Sequence, residues 1–426
     1  MIKILHTISS ANPRGGGPIE GINRLGTTLQ SLGHRVEIAS LDHPNAPFLG
    51  QSPLTIHPLG PTLSGYGLSA RFIPWMRANC HRYDAVIVNG IWQFHSFGAR
   101  LALRNTRTPY VVFTHGMLDP WFKKRYPMKH LKKWVYWPWA EYRVLRDAQA
   151  VLFTCEEERV LARQSFWLYR CNEVVVGYGT TRPTLDAEAC RKEFLSRFPE
   201  LKGKRVALFL GRIHPKKGCD LLIKAFAKVL ASNTTWHLLF AGPDQTGWQK
   251  KLTHIAESLG VASRITWTGM ISGHMKWGAI HSSEVFVLPS HQENFGIAVA
   301  EAMAAGLPAL VTNKVNIWRE IEASRAGLID EDTLNGVCTL LQTYSELSPE
   351  AKMQMRRRAQ ECFEEKFEIK KAAESLHKIL LNVIETKAQS YSRKEQPTPS
   401  TRILQELSGQ FPQGSEVKSE SSRASD

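Results

Sequence analysis

What this 426-residue chain lacks narrows its class. No stretch approaches the run of about 18 apolar residues that a membrane span requires. Its seven cysteines, Cys80, Cys155, Cys171, Cys190, Cys219, Cys338 and Cys362, are scattered, and no Cys-x-x-Cys pair occurs. That pattern argues against a zinc site and a disulfide framework and fits a reducing cytoplasm. The opening residues, MIKILHTISS, lack the long apolar run and small-residue cleavage site of a secretory leader. Met1 is therefore expected to begin the mature fold, with Ile2, Ile4 and Leu5 in a first strand. Acidic residues are short against basic ones, 39 to 54, and the net charge of +15 implies an anionic partner. Nucleic acid, an acidic membrane surface and phosphorylated ligands all satisfy that, and so does a basic surface kept for solubility.

What is present is a regular alternation. IKILHTI, RVEIAS, DAVIVNG, YVVFTHG, AVLFTC and EVVVG read as buried strands separated by amphipathic helices such as 20–32, closed by Gly33. A second series follows: RVALFLG, WHLLFAG, RITWTG, VFVLPS and PALVTN. Two such series imply two doubly wound, mostly parallel α/β sheets, whose ligands sit beyond the carboxyl ends of the strands. The seam falls in GYGTTRPTL, 177–185. The expected units are 1–178, 179–365, a C-terminal helix over 366–388 and a disordered tail over 389–426, where Ser, Gln and Pro dominate. Within that tail, TRILQELSG alone could form a short docking helix.

Several loops carry chemistry. FLGRIHPKKG sets Arg212 and Lys217 directly after a buried strand, a guanidinium fork and a point charge of the kind a diphosphate requires. A solvated basic turn is the plainer reading, and no Walker pattern can be written over the segment. NPRGGGPIEG removes three Cβ atoms at Gly15, Gly16 and Gly17, where backbone N–H groups can approach an anion at a helix start. It falls short of the dinucleotide fingerprint, and Asp42 lies two residues past the second strand, so a nicotinamide dehydrogenase is a poor fit.

SHQENFGIAVAEAM places Glu293 in a loop and Glu301 about one turn inside a buried helix. A carboxylate buried there costs several kcal/mol unless it has a specific partner. Vicinal sugar hydroxyls would serve; so would a salt bridge. A glycosidase acid/base couple is a further alternative, although neutral sugars would not need Arg212 and Lys217. Asp330-Glu331-Asp332 is formally a D-x-D but reads as a polar loop before the helix at Leu334, and no metal is expected. Residues 121–143 interleave lysines with Trp134, Trp137 and Trp139, which suits an anionic bilayer, single-stranded nucleic acid, or a helix burying its aromatics with lysines outward.

In order along the chain, the RGGGP loop, THGMLDPW, GRIHPKKG, AGPDQTGW, ITWTGMISG and LPSHQENFGIAVAEAMAAGLP resemble the family-four retaining nucleotide-sugar glycosyltransferases, of bacterial polysaccharide-assembly type. The last segment is similar to that family's E-x₇-E motif. One departure is VVVGYGTT, where many members have a P-N-G turn. The resemblance, over about residues 2–385, implies a GT-B fold: two Rossmann-like domains facing across a cleft, with the C-terminal helix crossing back to the first. It implies that Arg212 and Lys217 stabilise a leaving nucleotide diphosphate, UDP or GDP, and that Glu301 holds ribose hydroxyls. Glu293 would bind the donor sugar beside the amides of Asn294, Phe295 and Gly296, and Gly16 would approach the diphosphate. His115 would stand by the transferred sugar, with the base near Met270 and Ile271. Asn89, Trp92, Asp119 and Trp121 follow first-domain strands and are candidates for the acceptor side. The expected enzyme moves a hexose-type unit, without metal or cofactor, onto a glycan or lipid-linked acceptor for cell-surface polysaccharide. It would be cytoplasmic, peripheral at the inner membrane face, and would not bind nucleic acid. A nucleotide-sugar epimerase or hydrolase of the same fold and a nonenzymatic nucleic-acid-binding protein are the alternatives.

Overall fold

Val-, Ile- and Leu-rich runs ended by Gly or polar residues form strands buried on both faces, as parallel sheets covered by helices demand. The computed structural model describes residues 1–395. The first sheet contains β1 (Lys3–Ile8), β2 (Arg35–Ser40), β3 (Thr55–Pro58), β4 (Ala85–Asn89), β5 (Tyr110–Phe113), β6 (Ala150–Phe153) and β7 (Glu173–Val175), in the order β3-β2-β1-β4-β5-β6-β7. The second contains β8 (Arg205–Leu210), β9 (Trp236–Ala241), β10 (Ile265–Gly269), β11 (Val285–Leu288), β12 (Ala309–Thr312) and β13 (Gly327–Asp330), in the order β10-β9-β8-β11-β12-β13. Every paired register is parallel. Strand order reverses between β1 and β4 and again between β8 and β11. Each reversal opens a crevice at the strands' carboxyl ends.

Two edge strands escape the sequence reading. TIHP (β3) and GLID (β13) are four residues long with a neighbour on one side only. The polar loop expected at Asp330 is therefore corrected: Asp330 ends β13 and pairs with Thr312. Asp332 beyond it contacts His291 (3.0 Å).

The two domains are joined twice. After β7 the linker passes Gly179 against the Phe367 carbonyl, where a Cβ would stand 2.0 Å from the oxygen. Thr180 N–H donates to Phe367 O (3.0 Å), and Ile369 N–H donates to Thr180 O (3.1 Å). From there helix Ile369–Glu395 returns to the first domain. Ile369, Ala373, Leu376, Leu380 and Val383, at helical spacing, are buried with Ile4, Ile22, Leu25 and Leu29. The helix outruns the expected 366–388, so residues 389–395, placed in a tail by composition, are helical. Residues 396–426, including TRILQELSG, lie outside the described residues.

Candidate active site

Both reversal crevices open into one cleft of about 400 Å³ between the domains. From the first domain come the start of helix Gly17–Ser31 and the loop after β5. From the second come the loops after β8 and β11. His115, Arg212, Lys217, Glu293, Asn294, Phe295 and Gly296, distant in sequence, line it together.

The loop after β8 turns at Gly218, whose left-handed backbone (φ 65°) caps helix Cys219–Leu230. A Cβ there would meet the Pro289 carbonyl at 2.0 Å, so only glycine lets this loop lie against the one after β11. His291 N–H donates to Lys216 O (2.8 Å) and completes that contact. Arg212 is exposed, and Lys217 is largely covered and forms an ion pair with Glu293. Burial, then repulsion from Lys216 and Arg212, pushes the Lys217 ammonium down from its ordinary value. Contact with the Glu293 carboxylate pulls the other way, towards the charged form. Glu293 is set by its backbone, which donates to Lys314 O (2.8 Å) and accepts from Asn316 N–H (3.0 Å). Lys216, missed in the sequence although adjacent to Lys217, also borders the cleft, and burial lowers it to about 8.

Facing these cations is His115, at φ 48° and stacked on Phe113. Its Nε2–H donates to Asn89 Oδ1 (3.2 Å), leaving Nδ1 as the acceptor. Burial lowers it to about 4, so the ring is neutral at pH 7. The loop that carries it hangs on Glu158, which accepts from Thr114 Oγ1 (2.8 Å), Gly116 N–H (2.6 Å), Thr154 N–H (2.8 Å) and Thr154 Oγ1 (2.6 Å). Glu158 stands third in a Glu-Glu-Glu run at a helix start, where sequence gives no sign of which side chain turns inward. Tyr178, also missed, sits edge-on to His115 and Phe295 and fills the departing linker. Gly21 makes room for its hydroxyl, since a Cβ would stand 1.3 Å from it.

Other expected positions fall elsewhere. Gly16 (φ 78°) closes a turn by donating to Pro13 O (3.1 Å), and the cleft lining begins at Gly17. Asp42, considered for a ribose, instead accepts from Ser10 Oγ (2.6 Å) and Ala11 N–H (2.7 Å) and pins the glycine-rich loop. Glu301 is buried and has the partner its burial demands, in fact two: Lys276 Nζ (2.8 Å) and Arg24 of the first domain (3.1 Å). Arg24 lines the cleft and Glu301 does not. Met270 is exposed and Ile271 packs on the second core, both outside the cleft lining. Asn89 is a correction to the acceptor side: it is buried beneath His115 and bonded to Ile87 O (3.1 Å), so it orients the imidazole. Asp119 accepts from Gln292 Nε2 across the cleft (2.7 Å) and from Trp121 N–H (2.8 Å). Trp121 lies beside Lys216 (5.7 Å), and Trp92 (φ 76°) walls a smaller adjoining cavity.

Comparison with known proteins bears on this geometry. Residues 16–179 match the model of the glycosyl transferase 4-like domain, and residues 191–336 match that of glycosyl transferases group 1. The chain belongs to the group 1, family-four glycosyltransferases. This family member is 30% identical over 129 residues to D-inositol 3-phosphate glycosyltransferase of Rhodococcus opacus, covering 29% of each chain. It is 33% identical over 159 residues to mannosylfructose-phosphate synthase of Agrobacterium fabrum, covering 36% of this chain and 34% of that one. The matched stretch thus spans about a third or less of these relatives' length. Among solved structures it shares the fold of sucrose-phosphate synthase from Thermosynechococcus elongatus (TM-score 0.71, 17% identity, 91% of this chain and 100% of that one). It also shares the fold of Anabaena HepE in complex with UDP and glucose (TM-score 0.70, 17% identity, 90% and 100%).

The buried imidazoles of this family member make its stability sensitive to acid. Burial lowers His6 to about 3 and His95 and His115 to about 4. Below pH 6.5 the unfolded chain takes up protons at these sites and the folded one does not. Stability is expected to fall between pH 6.5 and 4 by about 1.4 kcal/mol per pH unit for each ring. Urea unfolding at pH 7, 6 and 5 checks this; equal midpoints would contradict it.

Proposed function

We propose that this protein is a retaining, metal-independent glycosyltransferase. It moves a hexose-type sugar from a UDP- or GDP-linked donor to a glycan or lipid-linked acceptor in cell-surface polysaccharide assembly. The observation that carries this reading is the convergence of Arg212 and Lys217 on one interdomain cleft opposite His115, with Glu293 between. A sugar–diphosphate bond breaks when charge on the departing oxygens is stabilised, and two cations aimed there supply what a metal otherwise would. In this reading the diphosphate takes Lys217 from Glu293, and the freed carboxylate turns to the sugar hydroxyls. Neutral His115 offers Nδ1 to a further hydroxyl. The acceptor hydroxyl attacks on the face the diphosphate leaves, and its proton passes to a departing phosphate oxygen. Enclosure between two domains excludes the water that would hydrolyse the donor. The UDP and glucose named in the HepE complex support a nucleotide-sugar donor.

The test is nucleotide diphosphate release over a donor panel, with and without membrane-derived acceptor. Release that requires acceptor is expected; full turnover without it would indicate a hydrolase or epimerase.

We further propose attachment to an anionic bilayer through residues 121–143. Among the described residues no helix is long and apolar enough to cross a membrane. Helix Pro127–Tyr136, however, buries none of its residues. Met128, Leu131, Trp134, Val135 and Trp139 are 45–73% exposed, while of the tryptophans Trp134, Trp137 and Trp139 it is Trp137 that is fully buried. A core helix would bury these apolar side chains; exposed here beside Lys129 and Lys132, they complement acidic lipid. Co-sedimentation with phosphatidylglycerol vesicles is expected, and its loss in Leu131→Ser with Lys132→Glu. Sedimentation independent of lipid charge would count against the proposal.

A further inference from the structure

On helix Pro127–Tyr136 the usual amphipathic arrangement is turned around. Met128, Leu131 and Val135 face solvent, while the side toward the protein carries His130 and Lys133. Beneath these two lies a second cavity, of about 70 Å³, that meets the main cleft at Met117 and Phe122. It has room for a compact group. Lys129, His130 and Lys133 border it, and aromatic rings hold them in place. Lys133 Nζ stands 4.4 Å from the centre of the Trp92 ring, Lys129 Nζ 5.1 Å from that of Tyr126, and His130 stacks on Phe166 at 4.9 Å.

Neither lysine has a carboxylate partner within ion-pair distance among the described residues, although the pocket has acidic neighbours, and burial followed by repulsion from Lys123 and Lys133 lowers the His130 imidazole below its ordinary value. Buried Glu141 accepts from Trp92 N–H (3.0 Å) and Ser96 Oγ (3.1 Å), and it faces Lys133 from behind. Asp119 borders the cavity but spends its oxygens on Gln292 and Trp121 N–H. Two lysines and a histidine are thus gathered at one wall of the cavity, where Lys129 and Lys133 repel each other and Glu141 stands near Lys133 without forming an ion pair with it. Such a cluster suits a phosphate, whose oxygens accept several hydrogen bonds and carry charge.

We propose that this cavity holds the phosphate of the acceptor, so that the acceptor is a phosphorylated molecule. Its role rests on the glycosyltransferase reading above. The position fits that role: the cavity lies between the apolar outer face of the helix and the cleft beside His115. A molecule anchored there by phosphate reaches the cleft past Met117 without occupying the Arg212–Lys217 site. The phosphate could belong to a lipid or to a soluble sugar phosphate, and these sources are separable.

Methyl phosphate and farnesyl phosphate are the probes, and the His130 imidazole resonance of histidine-labelled protein is the readout. Titration with at least one probe is expected to shift that resonance. Lys133→Gln is expected to weaken binding about tenfold, the loss of one charge-assisted contact. Lys129→Gln, at a more exposed position, should do the same to a smaller extent and serves if Lys133→Gln does not fold by circular dichroism. Tighter binding of farnesyl phosphate than of methyl phosphate assigns a lipid source, and equal binding a soluble one. No shift with either probe, or wild-type affinity in both variants, overturns the proposal. Calorimetry of UDP and GDP binding to the same proteins reads the donor site separately. Phosphate binding without nucleotide binding would sink the transferase reading alone, and the converse would sink the phosphate pocket alone.

Discussion

Lys217→Ala is expected to lower kcat/KM for nucleotide-sugar turnover about 100- to 1,000-fold, and Arg212→Ala by a similar factor. Each removes one preorganised cation from the place where charge develops on the leaving diphosphate, an interaction stronger in the transition state than in the ground state. The two substitutions differ in their side effects. Arg212 is exposed and has no ion-pair partner among the described residues, so Arg212→Ala should leave the melting temperature close to wild type. Lys217 neutralises Glu293, and its removal leaves that carboxylate without its cation. Stability must therefore be measured beside activity, and Lys217→Arg separates lost charge from lost shape. The double variant should lose less than the product of the single losses, because both cations serve one leaving group. Full activity in both single variants would show that the diphosphate is held elsewhere.

Glu158→Ala is expected to destabilise the first domain by about 3 kcal/mol or more, because four buried donors lose their acceptor at once. For a domain of this size that is a fall of roughly 6–12 °C in the first unfolding transition. Activity should drop with it even under conditions where the protein stays folded. Gly116 N–H and Thr114 Oγ1 flank His115, and without the carboxylate the loop loses the two bonds that hold it on either side of that ring, where Gly116 packs close to Asn294 of the other domain. Glu158→Gln keeps an oxygen acceptor but brings an NH₂ group against N–H donors, so it should fall between the two. An unchanged transition in Glu158→Ala would refute the positioning role.

Most of the strand pattern was legible because buried parallel strands leave continuous apolar runs. TIHP and GLID were not, since a four-residue edge strand is stabilised by one neighbour rather than by its own composition. The loop cations were legible for a similar reason: Arg212 and Lys217 directly follow β8, and the end of a strand in a doubly wound sheet is where ligands bind. Glu301 showed that it needed a partner without showing which one. Its cations sit at Arg24, 277 positions away, and at Lys276. Asn89 misled because a strand-end polar residue can face the ligand or support a residue that does, and alternation along the strand does not tell which.

By itself the sequence determined two doubly wound domains, the loops that follow their strands, and the residue types able to grip a diphosphate and a sugar. These follow from local periodicity and from chemistry carried by neighbouring residues. Only the tertiary structure decided what those loops face. The pairing of Lys217 with Glu293, the suspension of the His115 loop from Glu158 and the outward apolar face of helix Pro127–Tyr136 all depend on contacts between distant segments. Burial, which sets the charge state of His115 and leaves Lys133 over Trp92 without a carboxylate partner among the described residues, is a property of the packed chain. No window of sequence contains it.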